Sequence, residues 1–151
     1  MEELNNPESE IFKNTLEEQT QFIRLRLAKI KNRQLDSQMG CSGGKDDIAK
    51  NLNMGQAQNL VLTFFNCKTD ICVLCSGIKG TDGIRQIERA HCNIYSRYDL
   101  LMLALDELYI DFTTPIKSGD ILKKFIQKHD ICPIYMLCNK CHTAYDRKVD
   151  L

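Results

Sequence analysis

The stretch LCNKCHTAYD, residues 137–146, decides the fold, because it sets a Cys-x-x-Cys pair directly before a histidine and a helical pattern. A second pair lies earlier in the chain, in ICVLC at residues 71–75. Zinc prefers four tetrahedral thiolate or imidazole ligands, and each tight Cys-x-x-Cys turn supplies two sulfurs. The sequence therefore predicts one structural zinc ion, held by Cys72, Cys75, Cys138 and Cys141.

The residues between the two pairs, 76–137, exceed the spacing of common zinc ribbons, so the pairs are expected to close an inserted subdomain. The remaining cysteines have no partner at ligand spacing and are expected to be small buried residues or thiols outside the site. Only Cys67 is close enough to the first pair to replace one of its ligands. The remaining cysteines are Cys41, Cys67, Cys92 and Cys132.

Composition limits the class of protein. A chain of 151 residues suits one domain, and the equal numbers of basic and acidic residues, 20 each, provide no global positive field for nucleic acid. The longest apolar runs, 60–65 and 100–105, are too short to cross a bilayer, so no membrane partner is expected. The acidic start MEELNNPESE does not resemble a secretory signal, which predicts a cytoplasmic or nuclear protein whose cysteines bind metal.

Hydrophobic periodicity predicts the elements in outline. One amphipathic helix is expected from Pro7 to about Ser37, a second over 46–59, and a short buried strand over 60–65. The segment between Cys75 and His91 is interpreted as a β-hairpin whose second strand ends near His91. Further helices are expected over 98–109, over 118–129 and from about Lys140, while GCSGG at 40–44 lacks the ending of a P-loop and is interpreted as a linker.

The second half of the first predicted helix carries five basic residues. This pattern has two interpretations: a solvated face on a stable helix, or an arm that contacts phosphates or forms a dimer. With Arg89 of the strand that ends at His91, these residues are the candidates for nucleic-acid contact. The five are Arg24, Arg26, Lys29, Lys31 and Arg33.

Two histidines lie beside the predicted zinc site, whereas the third, His129, matches no motif and is expected to be solvated near a helix end. His142 directly follows Cys141, and His91 ends the strand that leaves the first cysteine pair. Asp146 lies four residues after His142, so in a helix the two side chains share a face and can coordinate one cation together. We expect the zinc to bring His91 and His142 face to face, as a metal-assisted phosphodiester hydrolase needs.

These pieces resemble the His-Asn-His endonuclease family, whose ββα-metal fold carries two Cys-x-x-Cys knuckles in many members. The matching pieces are ICVLC at 71–75, IERAH at 87–91 and LCNKCHTAYD at 137–146. The resemblance implies an α+β protein with a zinc-stabilised ββα-metal core. The resemblance covers the C-terminal half only. With the helices predicted from periodicity, the expected organisation is a helical N-terminal region, 1–59, that contacts DNA or forms a dimer, and a zinc-bound nuclease domain, 60–151, with a helical insertion over 95–130.

The resemblance implies that His91 is the general base that activates water. His142 would bind a catalytic divalent ion, with Asp146 as second ligand, and Mg²⁺ or Mn²⁺ suits such an oxygen-rich site. The implied activity is hydrolysis of DNA phosphodiester bonds, on double-stranded DNA, as in restriction, homing or phage nucleases. A double-strand cutter with one site per chain would act as a homodimer.

The sequence departs from the family at two positions. The residue before the strand histidine often binds the metal, and here it is Ala90; Glu88, two residues earlier on the same strand face, either reaches the ion or pairs with Arg85 or Arg89. The central asparagine of the family is replaced by Pro133. A zinc-stabilised module that binds nucleic acid or protein without catalysis is therefore the alternative function, and an RNA-directed nuclease is a third.

Overall fold

The computed structural model describes residues 2–66 and 69–147, and these form a mixed α+β protein. Six α-helices and two small antiparallel sheets occur in this part of the chain. The expected α+β class is therefore confirmed. The chain divides into two compact units of interleaved segments: a first unit of residues 1–19, 67–94 and 132–151, and a second unit of residues 20–66 and 95–131.

The first unit is built on a two-stranded sheet. Strand β2, Ile87–His91, pairs antiparallel with β4, Ile134–Cys138, in a register that sets His91 opposite Ile134 and Ile87 opposite Cys138. Helix α6, Asn139–Asp146, follows β4 without a loop. The order strand, strand, helix brings the second cysteine pair to the end of β4 and the first turn of α6.

The N-terminal residues also belong to the first unit. A 3₁₀ turn, Glu2–Asn5, precedes α1, Glu10–Leu27, and the side chain of Leu4 is fully buried. The Tyr135 hydroxyl donates to Leu4 O (2.8 Å), and the Tyr145 hydroxyl donates to Asn5 Oδ1 (2.6 Å). The division between the units falls within α1, after Gln19.

The second unit is helical around an apolar core. It contains α2, Lys45–Asn53, α3, Gln56–Phe64, α4, Arg97–Leu108, and α5, Ser118–Gln127, which continues into a 3₁₀ turn, Lys128–Asp130. The aliphatic side chains of α4 and α5 are the most completely buried. Those with no exposed surface are Leu100, Leu101, Leu105, Ile121, Leu122 and Ile126.

Local chemistry explains the start of α4, and a close backbone contact requires glycine in the first turn of α5. Ser96 caps α4 by accepting from Asp99 N (3.0 Å), while the Asp99 carboxylate accepts from Ser96 N (2.9 Å), which completes a capping box. Gly119, in the first turn of α5, lies so close to Leu35 O that a Cβ there would be only 2.5 Å from it. Only glycine fits this contact. The expected helices over 98–109 and 118–129 are confirmed, and they run from Arg97 to Leu108 and from Ser118 to Gln127.

The short strands of the second unit pair with one another. Strand β1, Gly40–Cys41, pairs antiparallel with β3, Ile116–Lys117. The segment GCSGG, interpreted as a linker, therefore begins with a two-residue β-pairing. None of the described helices is long and apolar enough to cross a membrane.

Three expected elements were wrong. The predicted strand over 60–65 is the second half of α3, because a short apolar run does not by itself distinguish a strand from a buried helix. The predicted helix over 46–59 is divided into α2 and α3, with the break at Met54 and Gly55. The first helix ends at Leu27, so Lys29, Lys31 and Arg33 follow α1 rather than extend it.

The strand ending at His91 is confirmed, but its expected partner within residues 75–91 was wrong. On either side of the first cysteine pair, Ile71 and Ile78 form an isolated antiparallel bridge in the described chain. The partner of β2 is β4, which lies beyond the segment 95–131 of the second unit. The expected domain boundary after residue 59 falls inside α3. The interval 95–130, which was expected as a helical insertion in the nuclease domain, lies in the second unit.

Candidate metal centre

The four predicted zinc ligands lie together in the first unit. Cys72 and Cys75 belong to a turn before β2, Cys138 ends β4, and Cys141 lies in the first turn of α6. Their four Sγ atoms lie within 4.8 Å of one another, and Cys75 Sγ is 3.9 Å from Cys138 Sγ. Tetrahedral ligands at a metal–sulfur distance of about 2.3 Å lie about 3.8 Å apart, so this cluster could hold one metal ion.

The backbone around the cysteines favours thiolates. Gly77 N donates to Cys75 Sγ and Cys141 N donates to Cys138 Sγ, each at 3.4 Å. Burial opposes ionisation of Cys72, yet backbone N–H groups, beginning with that of Cys75, lower its pKa to about 7. Burial and the Cys138 sulfur raise the pKa of Cys141, and a bound cation would offset this cost, because a coordinating thiol is deprotonated.

The turn of the first pair depends on two unusual backbone positions. Ser76 has φ 61°, in the left-handed region, and lets the chain reverse directly after Cys75. Gly77 lies so close to Ile84 that a Cβ would meet its Cδ1 at 2.3 Å. Cys67, the residue predicted as a possible substitute ligand, lies outside the described residues.

His142 lies between two carboxylates. Its Nδ1 is 2.9 Å from Glu88 Oε1 on β2, and its Nε2 is 3.2 Å from Asp146 Oδ2 one helical turn later. The two predicted residues His142 and Asp146 therefore do share a face of α6. Glu88, for which the sequence left two roles open, contacts His142; its other close partner is the Gln86 amide.

His91 does not take the place opposite His142 that the sequence predicted. Successive side chains of a strand point to opposite faces, so His91 leaves β2 on the side opposite to Glu88. Its Nδ1 lies 3.9 Å from Cys132 Sγ, and the side chain is half-buried. The expected face-to-face pair of histidines is thus replaced by a row of Glu88, His142 and Asp146.

The positions that depart from the family pattern are structural. Ala90 is buried, 2 % exposed, and pairs with Tyr135 across the sheet. Pro133 O accepts from Cys92 N (3.1 Å). Asn139, within the second cysteine pair, accepts from Arg85 N (2.9 Å) through its side chain and so ties the start of α6 to the residues before β2.

The sequence interpretation missed several residues of this unit. Asn93 N donates to the Tyr145 hydroxyl (2.7 Å), so α6 is joined to the chain directly after β2. Gln19 of α1 donates to Cys132 O (2.9 Å) and accepts from Ile134 N (2.7 Å). The sequence pattern does not predict these hydrogen bonds, because the partners are far apart in the chain and belong to common residue types.

His129 corrects another expectation. Sequence reasoning placed it as a solvated residue near a helix end, but it is fully buried in the second unit. Its Nδ1 lies 2.9 Å from Phe125 O, and its ring packs against Phe65 and Phe125 at centroid distances of 5.0 and 4.9 Å. It is part of the apolar core.

The basic residues near the end of α1 have different environments. Arg26 lies over the rings of Phe22 and Phe64 and contacts Thr63 O, so its guanidinium is held within the second unit. Arg24, Lys29, Lys31 and Arg33 are exposed.

The fold and the site define the class: a mixed α+β protein with a four-cysteine cluster, formed by two Cys-x-x-Cys turns, that could hold a metal ion. No family model, curated protein or solved structure matches this chain.

Proposed function

We propose that this protein is a zinc-stabilised, metal-dependent endonuclease of the His-Asn-His type that hydrolyses DNA phosphodiester bonds. The observation that carries the proposal is the row of Glu88, His142 and Asp146 directly beside the four-cysteine cluster. Two further features support the proposal: the order of the motifs in the sequence and the strand–strand–helix unit that carries them.

The ion of the cysteine cluster is proposed to be zinc. Four thiolates from two tight turns are the donor set of structural zinc sites, and the spacing of the sulfurs suits its tetrahedral geometry. The role of this ion is positional, because Cys138 and Cys141 sit at the junction of β4 and α6. Zinc would hold the start of α6, and with it His142, against the strand that carries Glu88.

The second cation is proposed to bind His142 Nε2 and Asp146. Their ligand atoms are 3.2 Å apart, close to the ~3.0 Å expected between neighbouring ligands with bonds of about 2.1 Å. Among the described residues a cluster of three or more protein ligands occurs only at the four cysteines. Mg²⁺ is typically coordinated by two protein ligands, with water at its other coordination positions. Mn²⁺ suits the same donor atoms.

Glu88 is proposed to be a positioning residue rather than a ligand. Its carboxylate faces His142 Nδ1, so it stabilises the tautomer with a proton on Nδ1 and leaves the Nε2 lone pair for a cation. The bound cation would supply charge stabilisation at the phosphate. His91 is the proposed general base, since a histidine not bound to a cation can accept a proton near neutral pH. Only the order of the motifs supports this role, because His91 leaves β2 on the face opposite to Glu88 and lies beside Cys132.

DNA is the proposed partner, in its double-stranded form. The exposed basic residues Arg24, Lys29, Lys31 and Arg33 and the strand residue Arg89 are proposed to contact phosphates, with Arg26 contributing less because it is packed on aromatic rings. A homodimer would place two sites on the two strands.

The alternative is a zinc-stabilised binding module without catalysis. The observation that favours it is Ala90, buried at the position where the family often has a metal ligand. The direction of His91, on the face of β2 opposite to Glu88, favours it as well. This alternative predicts DNA binding that persists without any strand cleavage.

The test is cleavage of supercoiled plasmid by the purified, zinc-loaded protein with Mg²⁺ or Mn²⁺. We expect nicking by the parent protein and a loss of at least about 100-fold in rate for His91→Ala, His142→Ala and Asp146→Asn, as is typical for removal of general acid–base or metal-binding groups. Glu88→Gln should lose less than His142→Ala, and added metal should partly restore it. The matched control is Asp130→Asn, which removes an exposed carboxylate of the second unit.

Zinc content is measured for every variant, because a loss of the structural ion would also abolish activity. No nicking by the parent with any divalent ion, together with retained DNA binding, rejects the nuclease in favour of the binding module. Equal nicking by parent and His91→Ala shows that His91 is not the base. Cleavage of RNA but not of plasmid would establish the third possibility.

A further inference from the structure

We propose that Cys92 and Cys132 form a dithiol that closes, under oxidation, to a disulfide at the base of segment 95–131. Cys92 Sγ lies 3.0 Å from Cys132 Sγ, and the two residues are 1 % and 0 % exposed. The two cysteines do not belong to a Cys-x-x-Cys pair, and they are not members of the four-cysteine cluster. The inference does not depend on the nuclease function.

The backbone already holds the pair in place. Cys92 directly follows β2 and donates through its N–H to Pro133 O (3.1 Å), while the Gln19 side chain binds Cys132 O (2.9 Å). A disulfide needs an S–S distance of about 2.05 Å, so the sulfurs must approach by only about 1 Å, within reach of small side-chain rotations. At 3.0 Å the two sulfurs are in contact but are not bonded to each other.

A shared metal ion explains this pair less well than a disulfide. Sulfur ligands of one tetrahedral ion lie about 3.8 Å apart, as Cys75 and Cys138 do, whereas this pair is closer. No third ligand completes a cluster at this place among the described residues. The geometry therefore separates two cysteine sets in one unit: a cluster spaced for a metal and a pair spaced for a bond.

The position of the pair determines what the bond would do. The chain leaves the first unit after Ile94 and returns at Cys132, so the disulfide would join the two ends of the inserted segment. Closing this long loop restricts the unfolded chain and raises the melting temperature, by roughly 5 to 10 °C for a chain of this size. Reduction would remove that constraint.

The oxidation balances with a peroxide as oxidant. One sulfur, as thiolate, attacks a peroxide oxygen; the sulfur gains that oxygen as a sulfenic acid, and the other oxygen leaves as water after taking up the thiol proton. The second thiol then attacks the sulfenic sulfur and expels its oxygen as a second water. Two thiols lose two electrons in total and one peroxide gains them. His91 Nδ1, 3.9 Å from Cys132 Sγ, is placed to accept the thiol proton.

The test treats the zinc-loaded protein with a small excess of hydrogen peroxide, alkylates the remaining thiols and maps tryptic peptides without reduction. We expect peptide 90–97 to be joined to peptide 129–140, two hydrogens lighter than the sum, with Cys138 alkylated within the second peptide. Zinc should be retained at the dose that forms the link. Cys92→Ala should abolish the link and the rise in melting temperature, whereas Cys41→Ala should leave both.

Three results would overturn the proposal. The first is alkylation of both Cys92 and Cys132 after oxidation, and the second is a link from peptide 90–97 to Cys138 instead of Cys132. The third is zinc release before any link forms, which would make the metal cluster the oxidised site. Because the peptide map is made on the parent protein, a folding defect in a variant does not affect the decision.

Discussion

In the first unit four of the buried side chains are cysteines, whereas the second unit buries aliphatic and aromatic side chains of four helices. Cys72, Cys92, Cys132 and Cys138 are all buried in the first unit. Among the described residues, three of the largest fully buried side chains belong to it, Leu4, Tyr135 and Leu137, and the others belong to the second unit. We therefore expect the two units to be stabilised differently: the first by long-range polar bonds and by the four-cysteine cluster, which could hold a metal ion, and the second by apolar burial.

This difference has a physical basis. A two-stranded sheet is marginal in water by itself, and a single short helix adds little apolar surface, so a metal ion or specific bonds must supply the remainder. The second unit needs no such support, because its helices bury leucine, isoleucine and phenylalanine at about 1.5–3 kcal/mol for each side chain. Loss of a cysteine ligand should therefore affect the first unit alone, and loss of a buried leucine the second.

The largest effect is expected from Cys138→Ser. This change removes one of four metal ligands, and structural zinc contributes on the order of 10 kcal/mol or more in small zinc modules. We expect loss of the bound zinc and loss of amide protection in β2, β4 and α6, while α4 and α5 keep theirs. Metal analysis and hydrogen exchange measure the two effects.

Cys41→Ser is the matched control for this change, since Cys41 is a half-buried cysteine of the second unit outside the cluster. It should keep one zinc per chain. Full zinc content and an unchanged cooperative melt of Cys138→Ser would contradict the idea that the metal stabilises the first unit.

A smaller but still large effect is expected from Leu122→Ala in α5. The side chain has no exposed surface, so its removal leaves a cavity and costs about 2–5 kcal/mol of unfolding free energy. Chemical denaturation monitored by circular dichroism measures the loss. Zinc content should stay at one per chain, and its loss in this variant would break the proposed separation of the two stabilising mechanisms. Leu62→Ala, at an exposed leucine of α3, is the control and should change little.

The smallest of the three effects is expected from Gln19→Leu. The Gln19 amide satisfies Cys132 O and Ile134 N at the start of β4 and is 8 % exposed, so leucine would leave two buried backbone groups without this partner. We expect a loss of roughly 2 kcal/mol, with zinc retained. Denaturant titration measures it against Gln21→Leu, a change at an exposed residue two positions later in α1. Equal stabilities of the two variants would show that the bonds of Gln19 contribute nothing to the sheet.

Features controlled by local spacing and local propensity could be predicted from the sequence alone. Both Cys-x-x-Cys pairs, the strand that ends at His91, α4, α5 and the start of α6 were predictable, because their signals lie within a few residues. The shared face of His142 and Asp146 followed from helical periodicity alone.

Contacts between residues that are distant in the chain are visible only in the tertiary structure. The pairing of β2 with β4, the contact of Glu88 with His142 and the approach of Cys92 to Cys132 all join residues separated by 40 or more positions. Such contacts leave no periodic trace in a single sequence, because any strand, carboxylate or cysteine of similar burial could take the same place. The apolar run 60–65 shows the same limit, since burial in the second unit, and not its local pattern, made it a helix.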